Sequence, residues 1–274
     1  MTDFTISTLV RESPAAIAAA ICAVWQADVD TPAVYAEQCR VNDVDFTHSI
    51  MAHDSAGRLA GIGMLCRRGD CGFVLDFGVA PRFRGKGFGH QLFRALHAQM
   101  GRANLYQVSL LVNTDNAPAI RIYEQAGFQR VREIVTLRGK MAAYAPGSAD
   151  EIRDGLPETI MAWFGPGKSA RPQWERDLPS LLSMANVRAF ENSRGFMLAR
   201  KSLYFPQVDI VHLGLDPDAQ AEDVNALLYA VSVAFGPDFP LNLPEEPMNS
   251  RAHRQLRDLG FQVVDRAYEM AITL

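Results

Sequence analysis

Two groups of residues have the types and the spacing to do chemistry. Arg84-Gly85-Lys86-Gly87-Phe88-Gly89 follows a strand-like run that ends at Pro81, and it opens an amphipathic helical pattern. Successive backbone N–H groups at a helix start point one way, and the helix dipole adds a potential that favours an anion. Glycine at 85, 87 and 89 lets the chain turn tightly and lets phosphate oxygens approach without a Cβ in the way. Arg84 and Lys86 bring positive charge to the same place. Strand, glycine-rich turn, then helix is the context a pyrophosphate cradle requires. Further on, Asn113-Thr114-Asp115-Asn116 opens a short helix that carries Tyr123 and stops at Ala126-Gly127-Phe128. A phenol at hydrogen-bond distance can hand a proton to a leaving group. On spacing alone, Tyr123 reads as a packed aromatic of an amphipathic helix.

The elements that would hold these groups follow from periodicity. Phe4–Val10 alternates as a strand, and Ser13-Pro14 starts a helix with an N-cap serine and a proline at its first position. A polar break at 28–31 precedes a short helix at Pro32–Arg40. His48–Ala52 and Leu59–Cys66 are strands joined by Asp54-Ser55-Ala56-Gly57, and Gly72–Ala80 is a third, closed by Pro81. Phe88, Leu92, Phe93, Leu96 and Met100 have helical spacing, and Gly101 follows them. Tyr106–Val112 is a strand, Ala117–Ala126 a helix and Phe128–Leu137 a closing strand. The second half repeats this order: a helix at Pro172–Ala185, strands at Val187–Glu191, Gly195–Leu203 and Val208–Leu215, a helix at Ala219–Ala234, a Pro-rich extended segment, a helix at Ser250–Leu259 and a last strand. Asn116, Ala119, Gly127 and Phe128 recur as Asn249, Ala252, Gly260 and Phe261, at a constant offset of 133. Internal duplication accounts for this.

Arg84 to Gly89, with Val79-Ala80-Pro81 before them, resemble the phosphate-binding pattern Gln/Arg-x-x-Gly-x-Gly/Ala of the GNAT superfamily of N-acetyltransferases. Asn116, Ala119, Tyr123 and Gly127-Phe128 resemble that family's second motif. The resemblance covers residues 4–137 well and the second half in outline, as in bacterial tandem-GNAT proteins. It implies an α/β fold of two GNAT-like domains, each a mixed, mostly antiparallel sheet flanked by helices. It implies a catalytic domain at 1–140 binding acetyl-CoA, a linker at about 141–157 and a degenerate domain at 158–274. Acetyl-CoA would be the acyl donor, with no metal, held by Arg84, Gly85, Lys86, Gly87, Phe88, Gly89 and Asn116. The resemblance places backbone groups of Phe77, Gly78 and Val79 against the pantetheine arm, one of them able to polarise the acyl carbonyl. Tyr123 takes the family's general-acid position. Asp76, the one acid on that strand, is a weak candidate for the base, since such a residue is as readily a hydrogen-bonded strand acid. No cysteine stands at the motif positions, so direct attack by the amine in a ternary complex is expected. A non-catalytic acyl-CoA-binding sensor or interaction protein is the alternative.

The bulk numbers narrow the classes. The 274 residues allow one large domain or two modest ones, and 48% hydrophobic content supplies a full core. The net charge of −4 is uneven: residues 1–137 carry 13 cations and 13 acids, residues 138–274 carry 14 and 18. No basic surface is concentrated in sequence, which argues against a nucleic-acid partner. The longest apolar run, 15–25, is too short to span a bilayer, and with Asp3 and Glu12 beside it makes a poor signal peptide. A cytoplasmic protein without a membrane partner is expected, its four cysteines reduced. The acceptor implied is an amine of a small molecule or peptide; neither its identity nor the oligomeric state has a signature in the residues.

Two segments invite other readings. Gly165-Pro166-Gly167-Lys168-Ser169 is similar to the end of a nucleotide P-loop, but Ala162 stands where that motif needs glycine and Pro166 removes an N–H. In the second half, the cradle maps to 217–222 by the offset, or to Gln220-Ala221-Glu222-Asp223-Val224-Asn225 by anchoring Pro81 on Pro217. Neither contains a glycine, and the acids would repel a pyrophosphate. Tyr123 maps to Leu256, which has no proton to give.

Overall fold

The computed structural model describes residues 4–26, 32–140, 152–155, 157–164 and 172–274. The Gly165–Ser169 segment lies outside them, as do 141–151 and 156 of the expected linker and the polar break at 28–31. The chain forms two compact units, Met1–Val131 with Tyr268–Leu274, and Arg132–Ala267.

In the first unit the order is β1 (Phe4–Thr8), α1 (Pro14–Trp25), α2 (Pro32–Val41), β2 (Ile50–Asp54), β3 (Leu59–Arg68), β4 (Cys71–Val79), α3 (Phe88–Arg102), β5 (Gln107–Asn113) and α4 (Ala117–Gln125). Strands β1 to β4 pair antiparallel in sequence order, and β5 pairs parallel to β4. The Ser13 hydroxyl accepts from Ala16 N–H and caps α1 as the sequence signals. The β3–β4 hairpin turns at Gly69, whose φ is 63°, and sets Cys66 opposite Phe73. Cys66 and Cys71 therefore do not face each other, and all four cysteines are free.

Two features of this sheet open a space. Met64 faces Asp76 while Leu65 faces Val74, so Leu75 bulges out of β4. The β4–β5 pairing runs from Cys71↔Gln107 to Val74↔Leu110. The bulge begins where that pairing ends, and residues 77–79 of β4 are left lining a gap. Gly78 is needed there: a Cβ on it would lie 2.3 Å from Val24 Cγ1. The missing side chain lets the end of α1 lie directly on β4.

The second unit has β7 (Arg153–Gly155), α5 (Leu178–Ser183), β8 (Arg188–Glu191), β9 (Gly195–Lys201), β10 (Val208–Leu215), α6 (Ala221–Phe235), β11 (Pro240–Pro247) and α7 (Arg251–Asp258). Strand β7, inside the span expected as linker, pairs with β8. The helix expected at Pro172–Ala185 is a short 3-10 turn at Trp174–Arg176 and the six-residue α5. Asp177 breaks the run, because its carboxylate accepts from Leu178 N–H and starts a new helix with Pro179 in its first turn. The Pro-rich segment is strand β11, whose register shift between Leu243 and Glu246 accommodates Pro244.

Two long strands, β6 (Gln129–Lys140) and β12 (Gln262–Thr273), run across the boundaries of the two units. The end of β12 belongs to the first unit, where Leu274 N–H donates to Tyr106 O, while most of β6 belongs to the second, where it pairs with β11. Each unit thus completes its sheet with a strand from the other half of the sequence.

The duplication is visible in hydrogen bonds. Phe128 N–H donates to Tyr123 O at 3.0 Å, and Phe261 N–H to Leu256 O at 2.9 Å. Gly127 and Gly260 close their helices with φ of 97° and 91°. Strands β6 and β12 begin and end at the same offset of 133. The bulge recurs as well, with Val211 of β10 in the place of Leu75. Among the described residues, no helix is long and apolar enough to cross a membrane.

Candidate functional site

The gap beside the bulge widens into a cleft of about 800 Å³. It gathers Phe77, Gly78 and Val79 from β4, Arg84, Gly85 and Gly87 from the turn before α3, Gly89 from the first turn of α3, and Asn116 from the start of α4. These come from three separate stretches of sequence, and all were expected at one site. Gly85 and Gly87 have φ of 75° and 78°, with open space where a Cβ would sit. Backbone conformation, not crowding, demands glycine there. Gly89 is different: its Cβ would come within 3.0 Å of Ile122 Cδ1, so it lets α3 approach α4. Arg84 N–H donates to Pro81 O, and among the described residues no backbone carbonyl takes the N–H groups of Gly85, Lys86 and Gly87. Alternating left-handed glycines with unclaimed amides, next to the start of α3, form an anion-receptive concavity.

Arg84 does more than add charge. Its Nε donates to Val79 O at 2.8 Å and its Nη2 to Val24 O at 2.6 Å, which ties the turn to β4 and to the end of α1. Lys86 is exposed, with Nζ 3.3 Å from Arg82 O. The Phe88 side chain points into the core and stacks on Phe4 with ring centroids 3.8 Å apart, so only its backbone is left for a ligand. The Asn116 Oδ1 caps α4 by accepting from Ala119 N–H, which leaves its amide NH₂ as the free polar group at the cleft. The sequence signals missed Val24, Trp25, His90, Pro118, Arg121 and Ile122, which also line it. Trp25, 43% exposed at the end of an otherwise apolar helix, is the one whose exposure carries a hint.

Tyr123 and Asp76 are not among the lining residues. Tyr123 is buried in an aromatic cluster, with ring centroids 5.0 Å from Phe93, 6.0 Å from Phe77 and 6.2 Å from Phe128. Burial pushes its phenol pKa up. Phe77 lines the cleft and also touches Tyr123 edge-on, so the phenol ring lies one side chain behind the cleft wall. Asp76 turns toward α2, where the Tyr35 hydroxyl donates to its Oδ2 at 2.8 Å. Burial raises the Asp76 carboxyl above the usual carboxylate range, and the Tyr35 bond partly opposes this. Burial, and then the Asp76 charge, push the Cys39 thiol up to about 12.

The corresponding places in the second unit are filled. Strands β10 and β11 pair in parallel at Val208↔Leu241 and Asp209↔Asn242, before the bulge at Val211. Arg176 sits across the two strands beyond that point. Its Nε donates to Val211 O at 3.0 Å, and its Nη1 to Pro244 O at 2.9 Å and to Glu246 at 2.6 Å. Gln173 adds a hydrogen bond to Glu245. His212 stands where the bulge puts Asp76 in the first unit, and burial, then Arg176, lower its pKa to about 3. At the start of α6, Gln220 N–H donates to the carboxylate of Asp223 at 2.7 Å. The chain's own carboxylate thus occupies the helix start that an anion would need.

Comparison with known proteins agrees with this geometry. Residues 16–128 match the family model described as Acetyltransferase (GNAT) family. A mycothiol acetyltransferase of Clavibacter michiganensis is 36% identical over 80 residues, 29% of this chain and 26% of that protein. One from Actinosynnema mirum is 37% identical over 82 residues, 30% and 28% of the two chains. The chain therefore matches little more than a quarter of the length of these relatives. A GCN5-related N-acetyltransferase from Sphaerobacter thermophilus superposes with a TM-score of 0.69 at 20% identity, covering 98% of this chain and 95% of that one. A tandem GNAT protein from the clavulanic acid biosynthesis pathway superposes with a TM-score of 0.71 at 12% identity, covering 100% and 98%. These two share the fold over both units. Over residues 16–128, this chain is thus similar to the GNAT family of acetyltransferases.

Proposed function

We propose that the first unit binds acetyl-CoA and transfers its acetyl group to an amine by direct attack in a ternary complex. The observation that carries this is the pair of left-handed glycines, Gly85 and Gly87, whose amides face a cleft continuous with the β4 edge. The diphosphate sits on those amides and the start of α3, and the pantetheine arm runs along Phe77, Gly78 and Val79. The amine nitrogen attacks the thioester carbon, and the C–S bond breaks. Tyr123 supplies a proton to the CoA thiolate, and Asp76, which faces Tyr35 behind the cleft wall, is the acid to which the amine proton is relayed. None of the four cysteines lines the cleft, in keeping with a route that has no acyl-enzyme. The second unit, with Arg176 between its strands and Asp223 at its helix start, keeps the scaffold without the CoA site.

Titration calorimetry with acetyl-CoA tests the binding half, with one site per chain expected. Two equivalent sites, or none, would overturn it. Turnover is tested by thiol release when amines are supplied. That panel begins with small-molecule amines, a choice supported by the similarity to two mycothiol acetyltransferases. A second reading, acyl-CoA binding without transfer, is favoured by the placement of Tyr123 and Asp76 outside the lining. It predicts binding with no thiol release from any amine.

The raised Asp76 carboxyl sets a pH limb. A base works ionised, so kcat falls as pH drops through the raised value, and Asp76→Asn removes that limb together with most of the rate. The sign for stability is opposite. A carboxyl raised on folding binds its proton more tightly in the native state, so its contribution is lost as pH rises. Asp76→Asn therefore costs no stability at neutral pH. A pH–rate profile unchanged in the variant removes Asp76 from the mechanism.

A further inference from the structure

His90, Arg94 and His97 lie at positions i, i+4 and i+7 of α3 and so share one face of that helix. With Phe93, with Ile122 and Gln125 of α4, and with Ala126 at its end, they line a second hollow of about 290 Å³. The hollow has no acidic residue in its wall. Among the described residues, the side chains of His90, Arg94 and Gln125 have no hydrogen-bond or ion-pair partner. The Nε2 atom of His97 is enclosed and likewise unpartnered. An enclosed polar nitrogen without a partner is costly, and such sites in native proteins call for an explanation. Two imidazoles, a guanidinium and an amide around an acid-free hollow are the donor set for an anion.

The hollow is not isolated. His90 and Ile122 line both it and the main cleft, so it is a side branch of the cleft next to the cradle. Arg94 lies seven residues beyond Gly87 on α3, about 10 Å along the axis at the helical rise per residue. We propose that this hollow receives the 3′-phosphate of the CoA adenosine, with Arg94 and His97 donating to its oxygens. The assignment rests on the reading of the cleft as an acetyl-CoA site. Coenzyme A carries this phosphate monoester on the ribose beside the diphosphate, so one ligand presents two anionic groups to two adjoining sites.

The test compares acetyl-CoA with its 3′-dephospho form by calorimetry, in the wild type and in Arg94→Gln and His97→Gln. The wild type binds acetyl-CoA roughly tenfold tighter than the dephospho form, the scale of one or two charge-assisted bonds. The preference shrinks as ionic strength rises. In Arg94→Gln the two affinities converge to within about twofold, the dephospho affinity staying at its wild-type value as the control for folding. His97→Gln reduces the preference in the same way. Equal binding of the two ligands by the wild type, or a preference undiminished in Arg94→Gln, overturns the subsite and leaves the cleft reading standing. Binding of neither ligand overturns both.

Discussion

Arg176→Ala destabilises the second unit by about 3–5 kcal/mol, the cost of leaving a buried partner charge uncompensated. The Arg176 and Glu246 side chains are each 6% exposed, and their contact is 2.6 Å. Removing the guanidinium leaves the Glu246 carboxylate with the Ser250 hydroxyl, which donates to its Oε1 at 2.6 Å. It also strips Val211 O and Pro244 O of the donor that joined β10 to β11. The control is Arg176→Met combined with Glu246→Leu. Replacing both charges with apolar side chains of similar volume removes the unpaired group, so the double variant recovers most of the loss. Chemical denaturation monitored in both units reads this out. Two compact units need not unfold as one, so the transition that acetyl-CoA shifts is assigned to the first and the one that Arg176→Ala shifts to the second. A variant that unfolds like the wild type would show that Arg176 does not hold β10 to β11. Acetyl-CoA stoichiometry stays at one even with the slot emptied, because Glu222 and Asp223 remain at the start of α6.

How much of this was legible in the sequence depended on whether a residue's role is local. Gly85 and Gly87 were legible because a left-handed backbone next to a helix start is a local demand, met by one residue type. Gly127 and Gly260 marked the repeat for the same reason. Arg84 was legible as a cation at the cradle, but not as the brace between Val79 O and Val24 O, because Val24 lies sixty residues earlier. Val24 and Trp25 join the cleft only because Gly78 lets α1 lie on β4, a packing relation with no sequence period. The exchange of β6 and β12 was hidden by the duplication itself, since two strands at the same offset carry the same alternation into either sheet. Arg176 gave no signal at all: a lone arginine in a run that reads as helical becomes a plug only when Asp177 breaks the helix.

Tyr123→Phe lowers kcat by about 10²-fold or more, the range for removal of a positioned general acid, while acetyl-CoA affinity and stability stay near wild type. The separation follows from where the ring sits. Its faces and edges are held by Phe77, Phe93 and Phe128, contacts that phenylalanine reproduces, so the aromatic cluster and the cleft wall keep their shape. Only the hydroxyl is lost. Burial keeps that hydroxyl protonated well past the usual tyrosine range, so the wild-type rate shows no alkaline fall from its ionisation. The same burial weakens it as an acid, and an unassisted phenol in this setting would give little to a ground-state thioester. A thiolate forming in the cleft is a stronger acceptor, so the contribution of Tyr123 is confined to the transition state, and its loss lowers kcat and kcat/KM together. A KM effect alone would point instead to Tyr123 shaping the wall through Phe77. Unchanged turnover would leave thiolate protonation to solvent and reduce this residue to core packing.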